Sequence, residues 1–336
     1  MLHRLPEIHP ETFSKKSVGR RMTHKVPVIC IEETIAEVEN LLEKEASNFD
    51  TINYIYVIDR GGKLLNVISI KELFRSPSTK KVSDFLQKKL VTVRAHTDQE
   101  RVALLALEHK LKAVPVIDKD DHLLGVVPSD EILSILDTEN IEDLLRFAGV
   151  SYFDKTPYEA ITASAVSQVR SRLPWLALGL VGGLVAAGIV SFFENTIKTT
   201  LALAMFMPLV VYMSDAVGTQ TQTIFVRSLA ISHHLSLWKY LGREFKIGLM
   251  ISLVCSVLLT LLSLWQGNAL ISLILGTTLF ISLISAVLVA FGITLLLFKL
   301  KKDPAVGSGP FATIVQDILS LVIYFAVATT FLRFFS

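Results

Sequence analysis

The sequence predicts an α+β soluble half, joined by a connecting helix to an all-α membrane domain of five transmembrane helices. Three observations carry this. Charged residues recur every few positions up to about residue 170, then nearly vanish outside short clusters. The first part carries the same strand-and-helix pattern twice. The second part holds five apolar runs of about the length that crosses a bilayer, which takes ~20 residues. The net charge of +2 gives no basis for a nucleic-acid partner. Cys30 and Cys255 fall in different parts and are expected to stay unpaired. The stretch MLHRLPEIHPETFSKKS has no apolar h-region, so no signal peptide is expected. No catalytic constellation stands out, and an enzyme is not expected.

Residues 1–25 read as an N-terminal arm. Beyond it, YVIDRGGKLLNVISIKEL (Tyr56–Leu73) and PVIDKDDHLLGVVPSDEI (Pro115–Ile132) align without a gap. Each reads as strand, polar turn, strand and helix, with turns at Arg60–Lys63 and Lys119–His122 between β-branched runs. A helix precedes each unit. Thr34-x-x-Glu37 and Thr97-x-x-Glu100 both have the form of a capping box, which satisfies the first free N–H groups. Ile35, Val38, Leu41 and Leu42, and then Val102, Leu104, Leu105 and Leu107, supply the apolar faces. Short strands are expected at Val26–Ile31 and Leu90–Val93.

This repeat, over residues 26–136, resembles a tandem pair of CBS domains, a Bateman module. The runs AVPVID (Ala113–Asp118) and LLGVV-x-x-DEIL (Leu123–Leu133) are its most specific pieces. The resemblance implies a regulatory module that dimerises and in many members binds ATP or another adenine nucleotide. Asp130 matches the Asp that holds the ribose. Val127 stands where a Ser or Thr usually precedes it, and Lys71 replaces the Asp in the first repeat. Asp130 also stands where it can cap the helix it begins.

Residues 137–171 form the acidic connecting region. Glu139, Glu142 and Asp143 fall at i, i+3 and i+4, so one helix side can present all three. Like charges that close repel by a few tenths of a kcal/mol per pair on an exposed helix. Either a hard divalent cation relieves this, since carboxylate oxygens suit Mg²⁺ and Ca²⁺, or the face is simply solvated. Pro157–Arg172 is amphipathic and predicts a helix leading to the membrane surface.

The membrane domain, residues 172–336, contains spans at about 173–193, 201–226, 247–265, 270–298 and 311–331. The first carries Gly179-x-x-x-Gly183, which permits close helix packing. Arg170 and Arg172, then Arg227, Lys239, Arg243 and Lys246, then Lys299, Lys301 and Lys302 all fall on one side. The other side has only Lys198 and Arg333. The positive-inside rule places the N-terminus in the cytoplasm and the C-terminus outside a plasma (inner) membrane. His233 and His234 point apart on a helix and read as surface residues.

Two spans are unusual. In the fifth, Thr313, Gln316, Asp317, Ser320 and Tyr324 share one helix face at i, i+3, i+4, i+7 and i+11. A carboxylate at membrane depth costs at least ~2.5–3.5 kcal/mol on insertion scales, so it usually faces a pore or a partner. In the second span, Pro208 removes a backbone donor and frees carbonyls. Asp215 follows, with Gly218, Thr219 and Gln222 on its face. Two such helices suggest a path for a hydrated cation. The alternative is a buried Asp that only holds helices together.

A CBS pair, an acidic connecting helix and five spans carrying MPLV…GTQ…VRSLA and KKDPAVGSGPF-x-x-x-x-x-D together resemble the MgtE magnesium channels. The resemblance implies a homodimer in membrane lipid, with spans two and five lining a pore for Mg²⁺. Asp317 matches the intramembrane Asp that holds hydrated Mg²⁺, and Asp303 matches an acid at the cytoplasmic mouth; the polar faces of spans two and five add Asp215 and Thr313 as candidates for the same path. Glu131, Glu139, Glu142 and Asp143 match carboxylates of a regulatory Mg²⁺ sensor that closes the channel. Two departures stand out. About 25 residues precede the CBS pair here, where the family usually has a helical N-domain. Ser214–Gln220 reads SDAVGTQ where the family reads close to GGNAGTQ, which adds a carboxylate and bears on ion choice. A membrane-anchored CBS nucleotide sensor without transport, and a carrier of Co²⁺ or Mn²⁺, remain as other readings. The scarcity of Cys and His at membrane depth disfavours soft metals.

Overall fold

The structure is a computed structural model. It describes residue 5 and residues 9–85, 90–151, 157–231, 236–300 and 309–335. The chain divides into two compact units, one ending at Asn140 and the other beginning at Ile141.

The first unit is the α+β part. Strands β1 (Val28–Cys30), β2 (Tyr54–Ile58) and β3 (Leu64–Ser69) form one sheet, in that order. Strands β4 (Val93–Arg94), β5 (Ala113–Ile117) and β6 (Leu123–Pro128) form a second. In each sheet the first pair is parallel and the second antiparallel. The repeat extends to its irregularities. The register shifts between Val57 and Ile58 in one sheet and between Val116 and Ile117 in the other, the positions that align in sequence. The strands before the helices are shorter than expected, since only the residues facing their neighbours pair.

Both hairpin turns are held by an Asp. Asp59 Oδ1 accepts from the N–H of Gly61 and Lys63, and Asp118 Oδ1 accepts from those of Asp120 and His122. This is the local bonding that makes Asp a turn residue. The two turns then pair with each other, Leu64 N to Asp121 O at 3.0 Å and Leu123 N to Gly62 O at 3.1 Å.

Helix α1 (Ile35–Glu45) begins with the capping box Thr34–Glu37. Helix α2 (Ile70–Phe74) has a second box, Ser69–Glu72. Helix α3 (Gln99–Glu108) departs from expectation. Its cap is Asp98, whose side chain accepts from Glu100 N, while Thr97 Oγ1 accepts from Arg94 N. The buried face of α3 is Gln99, Val102, Ala103 and Ala106, and Leu107 is exposed. Small residues here let the helix lie close on its sheet.

The arm ahead of β1 packs on the second repeat. Phe13 and Val18 join the core of Val102, Val114, Val116 and Ile135. Thr23 pairs with Val126 through two backbone hydrogen bonds of 2.8 and 2.9 Å. A Cβ on Gly125 would lie 2.9 Å from the Thr23 carbonyl oxygen, so the close pairing needs glycine there. Helix α4 (Ser129–Phe147) follows β6.

The second unit is all helix: α5 (Pro157–Thr162), α6 (Ala165–Phe192), α7 (Glu194–Thr199), α8 (Leu201–Ile231), α9 (Leu237–Ser263), α10 (Ala269–Lys299) and α11 (Pro310–Phe335). Five of these, α6, α8, α9, α10 and α11, are long and apolar enough to cross a membrane. The amphipathic stretch is not one helix. It breaks between α5 and α6, and the Gln168 amide donates to the carbonyls of Ile161 and Ala163 across the break.

Helix α10 is the packing centre, in contact with α8, α9 and α11. Its Ile274, Leu275, Leu279 and Leu283 are almost fully buried, with Val210 and Val217 of α8 in the same core. Hydroxyls in these helices turn back on their own carbonyls, as Thr294 does on Ala290 and Ser252 on Gly248. In α6 it is Gly182, rather than Gly179 or Gly183, that receives a neighbour, Ile314 of α11. Most apolar side chains of α6 and α9 face outward, as lipid-facing helices require.

Candidate cation site

Helices α8 and α11 pack against each other and bring the two intramembrane acids together. Asp215 and Asp317 are half-buried, and Asp317 lies within electrostatic reach of the Asp215 charge. Thr313, one turn before Asp317, is half-buried too. One oxygen of Asp215, Oδ1, is buried without a hydrogen-bond partner. The Gln316 amide is 2% exposed, and neither its oxygen nor its nitrogen has a partner. Gln222 Nε2 is in the same condition. Buried polar groups are nearly always hydrogen-bonded, and each exception needs a physical reason.

The polar stripe of α11 splits. Gln316, Ser320 and Tyr324 are buried, whereas Thr313 and Asp317 are half-buried. Tyr324 is a tether: its hydroxyl donates to the Leu203 carbonyl of α8 at 2.6 Å. Spacing on one helix could not reveal that use, because the partner comes from another helix. Spacing also missed the seat of Gln316. A Cβ on Gly218 would lie 2.1 Å from Gln316 Oε1 and 2.3 Å from Nε2, so the amide rests on the bare backbone of α8. Asp303 lies outside the described residues, as do His233 and His234.

The acids of α4 have a different setting. Glu131 pairs with Arg21 at 3.5 Å. Glu139 is 7% exposed, accepts from Gln99 at 2.6 Å and pairs with Lys16 at 3.4 Å. Glu142 is buried and pairs with Arg146. Asp143 is half-buried. These acids are therefore not a plain solvated face. Asp130 is exposed in the first turn of α4, where a negative charge suits the helix N-terminus.

Among the described residues, Asp118, Asp120 and His122 bring ligand atoms within 4.8 Å of one another. Asp118 is already committed to its turn, and its second oxygen meets His122 Nδ1 at 3.0 Å. Burial raises the Asp118 pKa, but hydrogen bonds from His122 and Asp120 outweigh that and leave it below the usual carboxylate value.

A tandem CBS module and five membrane-length helices, with Asp215 on α8 and Asp317 on α11, define a regulated membrane transporter rather than an enzyme. Family models agree. One described as a divalent cation transporter matches residues 207–327, and the CBS domain matches residues 16–78 and 82–138. The magnesium transporter MgtE of Bacillus subtilis (strain 168) is 36% identical over 96% of this chain and 71% of its own length. The magnesium transporters MgtE of Enterococcus faecalis and Thermus thermophilus are each 31% identical, over the same shares. A solved structure of the cytosolic domain of the Mg²⁺ channel MgtE with ATP is 32% identical, with a TM-score of 0.37 over 38% of this chain and 51% of that one. The chain belongs to the MgtE family.

Proposed function

We propose that the chain conducts Mg²⁺ across the plasma membrane, along a path lined by Asp317, Asp215 and Thr313, under the control of its CBS unit. One observation carries this reading. Two carboxylates at membrane depth stand on apposed helices within reach of each other's charge, and among the described residues neither is paired with a basic side chain. Such an arrangement is unfavourable by itself and is relieved by a cation between the helices. The relatives named as magnesium transporters support Mg²⁺ as the ion. A divalent ion entering an inside-negative cell gains ~4.6 kcal/mol per 100 mV, so uptake needs no coupling ion.

The finer parts of the proposal follow. The chain works as a homodimer, with its N-terminus in the cytoplasm and its C-terminus outside. Glu131, Glu139, Glu142 and Asp143 act as a regulatory Mg²⁺ sensor that closes the path. Their all-oxygen donors suit a hard cation, which would replace the Arg, Lys and Gln side chains now bound to three of them. Asp303 supplies charge at the cytoplasmic mouth. Asp130 gives the CBS unit an acid for the ribose of an adenine nucleotide, and titration of the full chain with ATP and AMP tests it. Unchanged weak binding in Asp130→Ala would remove that role.

The central test is Mg²⁺ flux into liposomes holding the full chain. Asp317→Ala is expected to abolish uptake, more than ~100-fold, with the protein still folded. Wild-type flux from folded Asp317→Ala would remove Asp317 from the path. Absence of flux from the wild-type chain would favour a CBS sensor anchored in the membrane.

A further inference from the structure

The arm ahead of β1 does more than fill a core. Phe13 and Val18 fix it on the second repeat, and each is followed three residues later by a cation that meets an acid of α4. Lys16 Nζ lies 3.4 Å from Glu139, and Arg21 Nη1 lies 3.5 Å from Glu131. Gln99 joins the two pairs. Its amide nitrogen donates to Glu139 at 2.6 Å, and its oxygen accepts from Arg21 Nε at 3.1 Å. The backbone of the arm is held at the same place. Val18 N donates to Thr97 O, Gly19 N to Ala95 O and Gln99 N to Lys16 O, each at 2.9 Å. Gly19 is needed there, because a Cβ would lie 2.6 Å from the Phe13 ring. The fold thus places both cations before any ligand arrives, which cuts the ordering cost of their pairing.

Glu131 and Glu139 carry two negative charges, and the arm sets two positive charges against them. A hard cation that seeks these carboxylates meets charge already neutralised, and must displace an ammonium and a guanidinium to reach it. We propose that the arm is a built-in competitor of the regulatory Mg²⁺: Lys16 and Arg21 hold the carboxylates of Glu139 and Glu131 in the metal-free chain and raise the Mg²⁺ concentration needed to engage them, an inference that rests on the sensor role proposed for those acids. The two cations are suited to yielding. Their side chains are part-exposed and can swing into water, whereas Glu139 is buried and stays in place. The anchors Phe13 and Val18 do not have to move for this exchange.

The test is calorimetric titration of Mg²⁺ into the full chain carrying Asp317→Ala, which takes the acid of the path out of the binding signal. Adding Lys16→Met keeps the apolar stem and removes the charge. It is expected to tighten Mg²⁺ binding ~3- to 5-fold, the effect of one part-exposed ion pair. Arg21→Met is expected to act in the same direction, and the charge-preserving Lys16→Arg to keep the affinity of the parent chain. In liposomes, with Asp317 intact, Lys16→Met is expected to lower by the same factor the internal Mg²⁺ concentration that halves uptake. Unchanged Mg²⁺ affinity in Lys16→Met, even with an earlier melt, overturns the inference and leaves the sensor role intact, since the pair would then serve the fold alone. Weaker binding overturns it as well, since the arm would then help to hold the ion. A parent chain that binds no Mg²⁺, with flux indifferent to internal Mg²⁺, removes the sensor role and the inference with it.

Discussion

The acids of α4 and the acids of the α8–α11 seam have the same chemistry and opposite surroundings. On α4, Glu131, Glu139 and Glu142 each have a basic or amide donor supplied by the protein. On the seam, Asp215 Oδ1 has none, and the buried amide of Gln316 is equally unmet. A carboxylate given donors by its own chain contributes to the fold. An acid oxygen left without a donor at membrane depth carries a desolvation cost that a cation would relieve. The contrast separates acids that the protein supplies with donors from an acid oxygen that it leaves unmet, a difference that the residue type alone does not carry.

The largest test of that contrast is Asp215→Asn. The amide is nearly isosteric and removes the charge. If Asp215 serves the cation, flux is expected to fall ~10- to 100-fold, while stability holds or rises because a buried charge has gone. A loss of stability with flux unchanged would move Asp215 into the class of the α4 acids. The measurement is liposome flux beside a thermal melt of the full chain in detergent.

The converse test is Glu139→Ala. Removing this acid leaves the Gln99 amide, 4% exposed, without its acceptor. The cost is about 1–3 kcal/mol, read as an earlier melt of the full chain. The same variant is expected to close less readily at high internal Mg²⁺, if Glu139 exchanges its protein donors for the ion. A melt equal to wild type would show that the carboxylate is not part of the fold, and the comparison would fail there.

These two settings were unequally legible in sequence. The tandem repeat was readable because local rules act within a few residues: the apolar, β-branched-rich run at Tyr54–Ile58, the box at Thr34–Glu37, and Asp59 and Asp118 in matching turns. Even the gapless alignment reappears as matching register shifts. The five spans were readable from apolar length alone. The cap of α3 was misplaced by one residue because Thr97 and Asp98 are both good caps, and Thr97 is occupied by Arg94 N. Contacts that join distant segments were not readable. Tyr324 with Leu203, Gln316 with Gly218, and Glu139 with Gln99 are separated by tens of residues or more, and no periodicity encodes them. Asp215 and Asp317 were both recognisable as costly residues, but only the packing of α8 on α11 places them within reach of each other.

The smallest expected effect comes from the acid with the most donors. Asp118 accepts from two backbone N–H groups, and its other oxygen meets His122. Burial is the largest single influence and raises its pKa, but those bonds together favour the charged form by more and hold it below the usual carboxylate value. The sign of the linkage follows. The folded state binds this proton more weakly than the unfolded chain does. Its stabilisation is therefore complete above the unfolded pKa of ~3.9 and is lost as pH falls through the lower folded value. The half-exposed setting of the turn limits the effect through solvent screening. Melts of the full chain from pH 6 down to pH 3 are expected to show a slightly steeper fall for wild type than for Asp118→Asn, with the two converging in acid. Parallel curves would mean that the turn hydrogen bonds act on geometry alone. Asp118 would then be a turn residue whose charge is incidental, and the rule that donor-satisfied acids stabilise the fold through their ionised form would need the buried setting of Glu139 to hold.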